Sequence, residues 1–122
     1  MRRMRYGTDA RAAIAGADRI GRAVVDLPPF ATGLTYVLEL STFQIDLTPT
    51  LAPDAAALIN ITPDHLDRHG TIENYAAVKA RLVRAAQAAV VGVDDANCRA
   101  IADELREHRG GKRPSQVMRL ST

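Results

Sequence analysis

Cysteine is nearly absent. Cys98 is the only one in 122 residues, so no internal disulfide can form, and a reducing compartment, the cytoplasm, is expected. Tryptophan is missing and aromatic residues make up 4% of the chain, so a core must be built from alanine, valine, leucine and isoleucine. No apolar run approaches the roughly 20 residues that cross a bilayer. The charged start, with Arg2, Arg3 and Arg5, is not followed by the apolar stretch of a signal peptide, so neither membrane nor export is expected. A strong charge of one sign is also lacking, since 16 Lys and Arg stand against 14 Asp and Glu. Basic residues gather at the two ends, as Arg2, Arg3, Arg5 and then Arg106, Arg109, Lys112, Arg113, without interleaved aromatics and without helix-turn-helix or metal-finger spacing. No nucleic-acid partner is expected from that pattern. What remains, 47% hydrophobic and 25% charged, suits one globular domain.

Three short apolar runs, residues 36–40, 55–61 and 88–93, read as buried strands. Between the second and third lies a helix-length segment, 72–87, with Thr71 as its N-cap. After the third strand, Cys98, Ile101, Ala102 and Leu105 share one helical face, and Gly110-Gly111 supplies a stop. Residues 41–54 are long enough for a crossover between parallel strands. The expected class is therefore α/β, a mainly parallel sheet with flanking helices. Residues 11–15 are a candidate fourth strand and 20–27 a short helix ended by Pro28 and Pro29, while 110–122 reads as a flexible tail.

Open parallel sheets bind ligands where their strands end, because the loops diverge there and helix N-termini point into the same space. The strand exits carry Glu39 and Ser41, then Asn60, Thr62, Asp64 and His65, then Asp94 and Asp95. Carboxylates and an imidazole with hydroxyls nearby suit a divalent cation carrying a phosphorylated substrate. Glu39 interrupts an apolar strand, where a carboxylate requires a partner or a metal; the alternative is a shorter strand with Glu39 in a solvated turn. His65 is either a ligand or an ordinary loop histidine. His65 and His69 have the spacing of a helical zinc pair, but Gly70 follows and the glutamate of the zinc-protease pattern is absent, which sets that class aside.

Lys79 falls inside the apolar stripe of Ile72, Tyr75, Ala76, Leu82, Val83 and Ala86, and it is one of only 2 lysines beside 14 arginines. Unlike a guanidinium, a lysine amine can lose its proton and act as a nucleophile. The other reading has Lys79 snorkelling from the edge of the stripe with its head in water.

Taken together, Tyr36-Val37-Leu38-Glu39-Leu40-Ser41-Thr42-Phe43-Gln44, then Leu58-Ile59-Asn60-Ile61-Thr62-Pro63-Asp64-His65-Leu66-Asp67-Arg68-His69, then Asn74-Tyr75 and Lys79, resemble the central domain of Mur ligases. The resemblance implies a partial central domain of P-loop NTPase type over residues 16–109, preceded by a divergent segment 1–15. It implies cytoplasmic, ATP-dependent and magnesium-dependent amide-bond formation in peptidoglycan precursor synthesis by a monomer. The spelling of the first run favours the branch that joins D-glutamate to UDP-N-acetylmuramoyl-L-alanine. It further implies that Glu39 and His65 hold magnesium, that Lys79 is carbamylated and becomes a ligand, that Ser41 meets the muramoyl substrate, and that Asn60 and Asp64 support the nucleotide and metal.

The chain departs from the family pattern in two ways. No G-x-x-x-x-G-K-[ST] loop occurs in it, and Arg19 stands in Ala17-Asp18-Arg19-Ile20-Gly21 where the family has asparagine. Without the loop, phosphoryl transfer lacks its main cradle. The chain alone is thus expected not to turn over, as a fragment of an active ligase; the alternatives are a decayed remnant or a binding module that keeps the fold.

Overall fold

The computed structural model describes residues 11–15, 29, 32, 34–62, 70–107 and 114–122, with the backbone alone for 11–15 and 34. The expected helix 20–27, the Arg19 turn, the Gly110-Gly111 stop, and Asp64, His65 and His69 lie outside the described residues. The chain divides into two units, Met1–Gln44 and Ile45–Thr122.

In the first unit, β1 (Arg11–Ala15) and β2 (Leu34–Leu38) pair in parallel, with Arg11 opposite Leu34 and Ala15 opposite Leu38. The expected fourth strand is therefore present. β2 begins and ends two residues before the apolar run 36–40, because pairing with β1 recruits Leu34 and Thr35, which carry no apolar signal as a pair. Tyr36 is buried, and its hydroxyl donates to the Pro29 carbonyl at 2.9 Å. Glu39 lies past the end of the strand and is exposed.

The short helix α1 (Thr42–Leu47) follows at once. Its start is a capping box. The Gln44 N–H donates to Ser41 Oγ at 3.3 Å, while Gln44 Oε1 accepts from the Ser41 N–H at 3.0 Å and from its hydroxyl at 3.2 Å.

The second unit runs β3 (Ala55–Leu58), α2 (Ile72–Ala85), β4 (Ala88–Gly92), α3 (Ala96–Glu107) and β5 (Gln116–Leu120). Its sheet is parallel throughout, in the order β3-β4-β5. Two successive crossovers in the same direction across a parallel sheet are expected to put both helices on one face. The core confirms this arrangement: Ala56 and Leu58 of β3, Ala89 and Val91 of β4, Tyr75, Ala80 and Val83 of α2, and Cys98, Ile101, Ala102 and Leu105 of α3 form one buried cluster, with Val117 of β5 packed against it. The many alanines let the helices lie close to the sheet. Val83, Val91 and Cys98 are the largest side chains sealed completely. On the other face, Ala57, Val90 and Met118 form a row across the three strands, and Met118 is 60% exposed.

Two expectations are corrected here. The tail 110–122 is not loose along its length, because Gln116–Leu120 adds to the sheet beside β4. The Ser115 N–H donates to the Gln87 carbonyl at 2.9 Å and the Val93 N–H to the Leu120 carbonyl at 2.8 Å, so the ladder is secured at both ends. Past it, the Asp94 carboxylate accepts from Ser121 Oγ at 2.7 Å and from the Thr122 N–H at 3.0 Å. A weakly apolar segment becomes a strand through partners that its own residues do not advertise. Second, β3 stops at Leu58, three residues before the apolar run ends. The Ile61 N–H turns out of the ladder to a side chain, the Asp95 carboxylate, at 3.0 Å.

Candidate functional site

In a parallel strand-helix-strand unit the carboxyl ends of the strands and the N-termini of the helices share one edge. In the second unit that edge holds the exit of β3 (Ile59 to Thr62), the exit of β4 (Val93 to Asp95) and the first turns of α2 and α3. Thr71 caps α2 in extended conformation, accepting from the Asn74 N–H at 3.2 Å. Asp95 caps α3, its Oδ1 accepting from the Cys98 N–H at 2.8 Å. Both helices thus direct the positive ends of their dipoles toward the same space. Gly70, just before α2, has φ of 75°, a left-handed conformation that side chains rarely adopt.

Lys79 is half-buried in the middle of α2. Helical side chains lean toward the N-terminus of their own helix, and Lys79 does so, its Nζ standing 4.6 Å from the centroid of the buried Tyr75 ring one turn back. The amine is thereby carried out of the stripe toward the edge where β3 and β4 end. Its charge reaches Cys98 in the first turn of α3. Burial, and then the neighbouring Asp95, push the Cys98 thiol up to about 12, against a lowering pull from the Lys79 cation. Such a thiol is an inert part of the core.

Two carboxylates at the β4 exit are held in the anionic form. Burial works to raise the Asp95 carboxyl, but the N–H donors of Cys98 and Ile61 outweigh it and bring it below the ordinary value. Asp94 is lowered by the Ser121 hydroxyl, then by the Thr122 N–H and hydroxyl. Asn60, beside Ile61, is exposed.

Of the residues singled out in the sequence, Asn60, Asp94 and Asp95 therefore share the edge of the second unit, while Lys79 sits in the middle of α2 with its amine over Tyr75. Glu39 and Ser41 belong to the first unit, where the Ser41 hydroxyl is engaged in the α1 cap. Among the described residues no three His, Cys, Asp or Glu side chains stand close enough to hold a metal. An exposed carboxylate such as Glu39 still suits magnesium, which takes one or two protein oxygens and completes its shell with phosphate and water. The double duty of Asp95 escaped the sequence reading. Its spacing to Cys98 is that of a helix cap, but its bond to Ile61 spans 34 residues and has no local signature. No described helix is long and apolar enough to cross a membrane.

The sequence profile of the Mur ligase middle domain matches residues 30–112, more than half of the chain. The chain belongs to this family. As a Mur ligase middle domain it is similar to the UDP-N-acetylmuramoylalanine--D-glutamate ligase of Chelativorans sp. (strain BNC1), at 55% identity over 103 residues, covering 84% of this chain and 22% of that protein. Proteins of the same name from Brucella abortus (strain 2308) and Bradyrhizobium diazoefficiens are 54% and 52% identical over 102 and 105 residues, again over 84% of this chain, and over 21% and 22% of their own lengths. The chain thus spans about a fifth of the length of the curated relatives it matches. The part of the Mur ligase middle domain matched by the profile holds Glu39, Ser41, Asn60, Asp64, His65, Lys79 and Asp95; β1 and β5 lie outside it.

Proposed function

We propose that this Mur ligase middle domain serves a cytoplasmic, ATP-dependent ligase that joins D-glutamate to UDP-N-acetylmuramoyl-L-alanine in peptidoglycan precursor synthesis. ATP phosphorylates the muramoyl-alanine carboxylate. The D-glutamate amine then attacks the carbonyl carbon, the bond to phosphate breaks, and an amide forms as the amine loses a proton. Magnesium, when bound, offsets charge on the phosphates and on the developing oxyanion.

Glu39 and His65 are the residues of this chain that would hold magnesium, with Asn60 and Asp64 supporting the nucleotide and metal side and Ser41 on the muramoyl side. Lys79 would add its amine nitrogen to carbon dioxide and release a proton, giving an anionic carbamate whose oxygens would complete the magnesium ligand set. The observation that carries this reading is Lys79 itself, a lysine in an apolar stripe with its amine turned back over Tyr75 toward the edge where two helix N-termini converge. An anionic oxygen ligand there faces two positive dipole ends.

The test is a chimera in which the 102 residues matched to the Brucella abortus ligase replace their counterpart in that enzyme. It is expected to release phosphate and form the amide only with both substrates present. Lys79→Ala in the chimera is expected to lose activity and to recover part of it when a short carboxylic acid is supplied. A folded chimera without turnover, or a Lys79→Ala variant as active as its parent, overturns the reading.

A further inference from the structure

The Asp95 carboxylate uses its two oxygens on two different elements. Oδ1 caps α3 through the Cys98 N–H at 2.8 Å, and Oδ2 accepts from the Ile61 N–H past the end of β3 at 3.0 Å. Capping alone needs one oxygen, which serine or asparagine supplies as well. The second oxygen serves the β3 exit.

Two further contacts fix the same stretch. The Ile61 side chain is only 3% exposed, set in the core cluster. Two residues earlier, the Ile59 carbonyl lies against Gly92, where any Cβ would fall far inside van der Waals contact with it. Asn60 stands exposed between these two anchors. A polar side chain presented from a pinned backbone pays little ordering entropy on meeting a ligand, since its main chain is already fixed.

We infer that Asp95 is a positioning residue for the nucleotide side of the reaction, tying the α3 N-terminus to the β3 exit so that Asn60 and Thr62 are held in place. The inference rests on the ligase reading above and adds a residue that touches no substrate. Loss of such a supporting contact typically lowers metal affinity or activity about 10–100-fold.

Asp95→Asn separates the two duties. Its single carbonyl oxygen keeps the helix cap, while the Ile61 N–H loses its acceptor. In the 122-residue chain, amide exchange is expected to speed up at Ile61 and stay slow at Cys98, with a smaller drop in melting temperature than Asp95→Ala gives. In the chimera the KM for magnesium-ATP is expected to rise about 10-fold or more while the KM for D-glutamate stays put. Gly92→Ala, which displaces Ile59 from the other side, is expected to shift the same KM. Asp95→Ala, which removes the cap as well, is expected to lower the melting temperature too. An Asp95→Asn chimera with unchanged KM for magnesium-ATP, or with both KM values raised alike, overturns the inference and leaves the ligase reading standing. A parent chimera that does not turn over overturns both, and is recognised because it fails before any substitution at Asp95.

Discussion

The helices α2 and α3 do the same structural work on the same sheet face, yet only one has a clean apolar stripe. In α3 the inward residues Cys98, Ile101, Ala102 and Leu105 are all buried. In α2 the inward face holds Tyr75, Ala80 and Val83, with Lys79 among them where a leucine would pack as well. A helix needs apolar contact to stay on its sheet, so a charged residue in the stripe gives up packing that a leucine would supply. α3 shows what the fold requires of a helix in this layer, and the departure of α2 from it marks the residue that the fold does not explain.

Paired truncations sharpen that contrast. Leu105→Ala in α3 removes a side chain 6% exposed and is expected to destabilise by about 2–5 kcal/mol, read from the urea midpoint of the 122-residue chain. Lys79→Leu in α2 is expected to lie within about 1 kcal/mol of the parent. Added apolar burial offsets the lost contact with Tyr75, itself worth about 0.5–1 kcal/mol. A large loss at Lys79 would make it a structural lysine and erase the difference between the helices.

Acid should weaken the α3 side of the unit first. Asp94 and Asp95 have folded-state pKa values below the ordinary carboxylate value. Their contribution is therefore fully present above the unfolded pKa of about 4, and is lost as pH falls through the lower folded values. Stability followed by circular dichroism should be flat from neutral pH down to about 5 and decline below 4. Asp95→Asn should flatten part of that acid limb, whereas Thr71→Ala at the α2 cap, where no proton is bound or released, should leave its slope unchanged.

The smallest effect belongs to the link between the two helices. Arg84 of α2 grips Glu104 of α3 with two bonds, Nε to Oε1 at 3.0 Å and a terminal nitrogen to Oε2 at 2.6 Å, but each side chain is 40% exposed. Water screening holds such a pair to about 1 kcal/mol or less. Glu104→Gln should cost no more than that in dilute buffer, and the difference should shrink in about 0.5 M salt. A loss above that range would mean that the helices depend on each other more than on the sheet.

Much of the second unit was legible because its signals are local. Thr71 caps α2 through a bond three residues away, and the 3.6-residue stripe of α3 fell where it was read. The motif around Ser41 was legible for its family likeness, whereas its capping box, a Ser with Gln three residues on, has a local signature that went unread. β5 was missed because Gln116–Leu120 offers only Val117, Met118 and Leu120 as apolar residues and owes its shape to β4, to Asp94 and to an Arg119–Asp103 pair at 2.9 Å. The end of β3 was misjudged for a similar reason. Ile59 and Ile61 read as strand, but the Asp95 carboxylate, 34 residues from Ile61, takes its N–H out of the ladder.

The sequence by itself determined the α/β class, the two amphipathic helices and the Thr71 cap of the first, the family, and the anomaly at Lys79, because periodicity, capping and motif spelling are written within a few residues of one another. The tertiary structure alone decided which strands pair, where β3 ends, that the chain's last residues join the sheet, and that one carboxylate at Asp95 serves both a helix and a strand exit. Those choices depend on hydrogen-bond donors and acceptors that meet only after the chain has folded, and no local pattern records them.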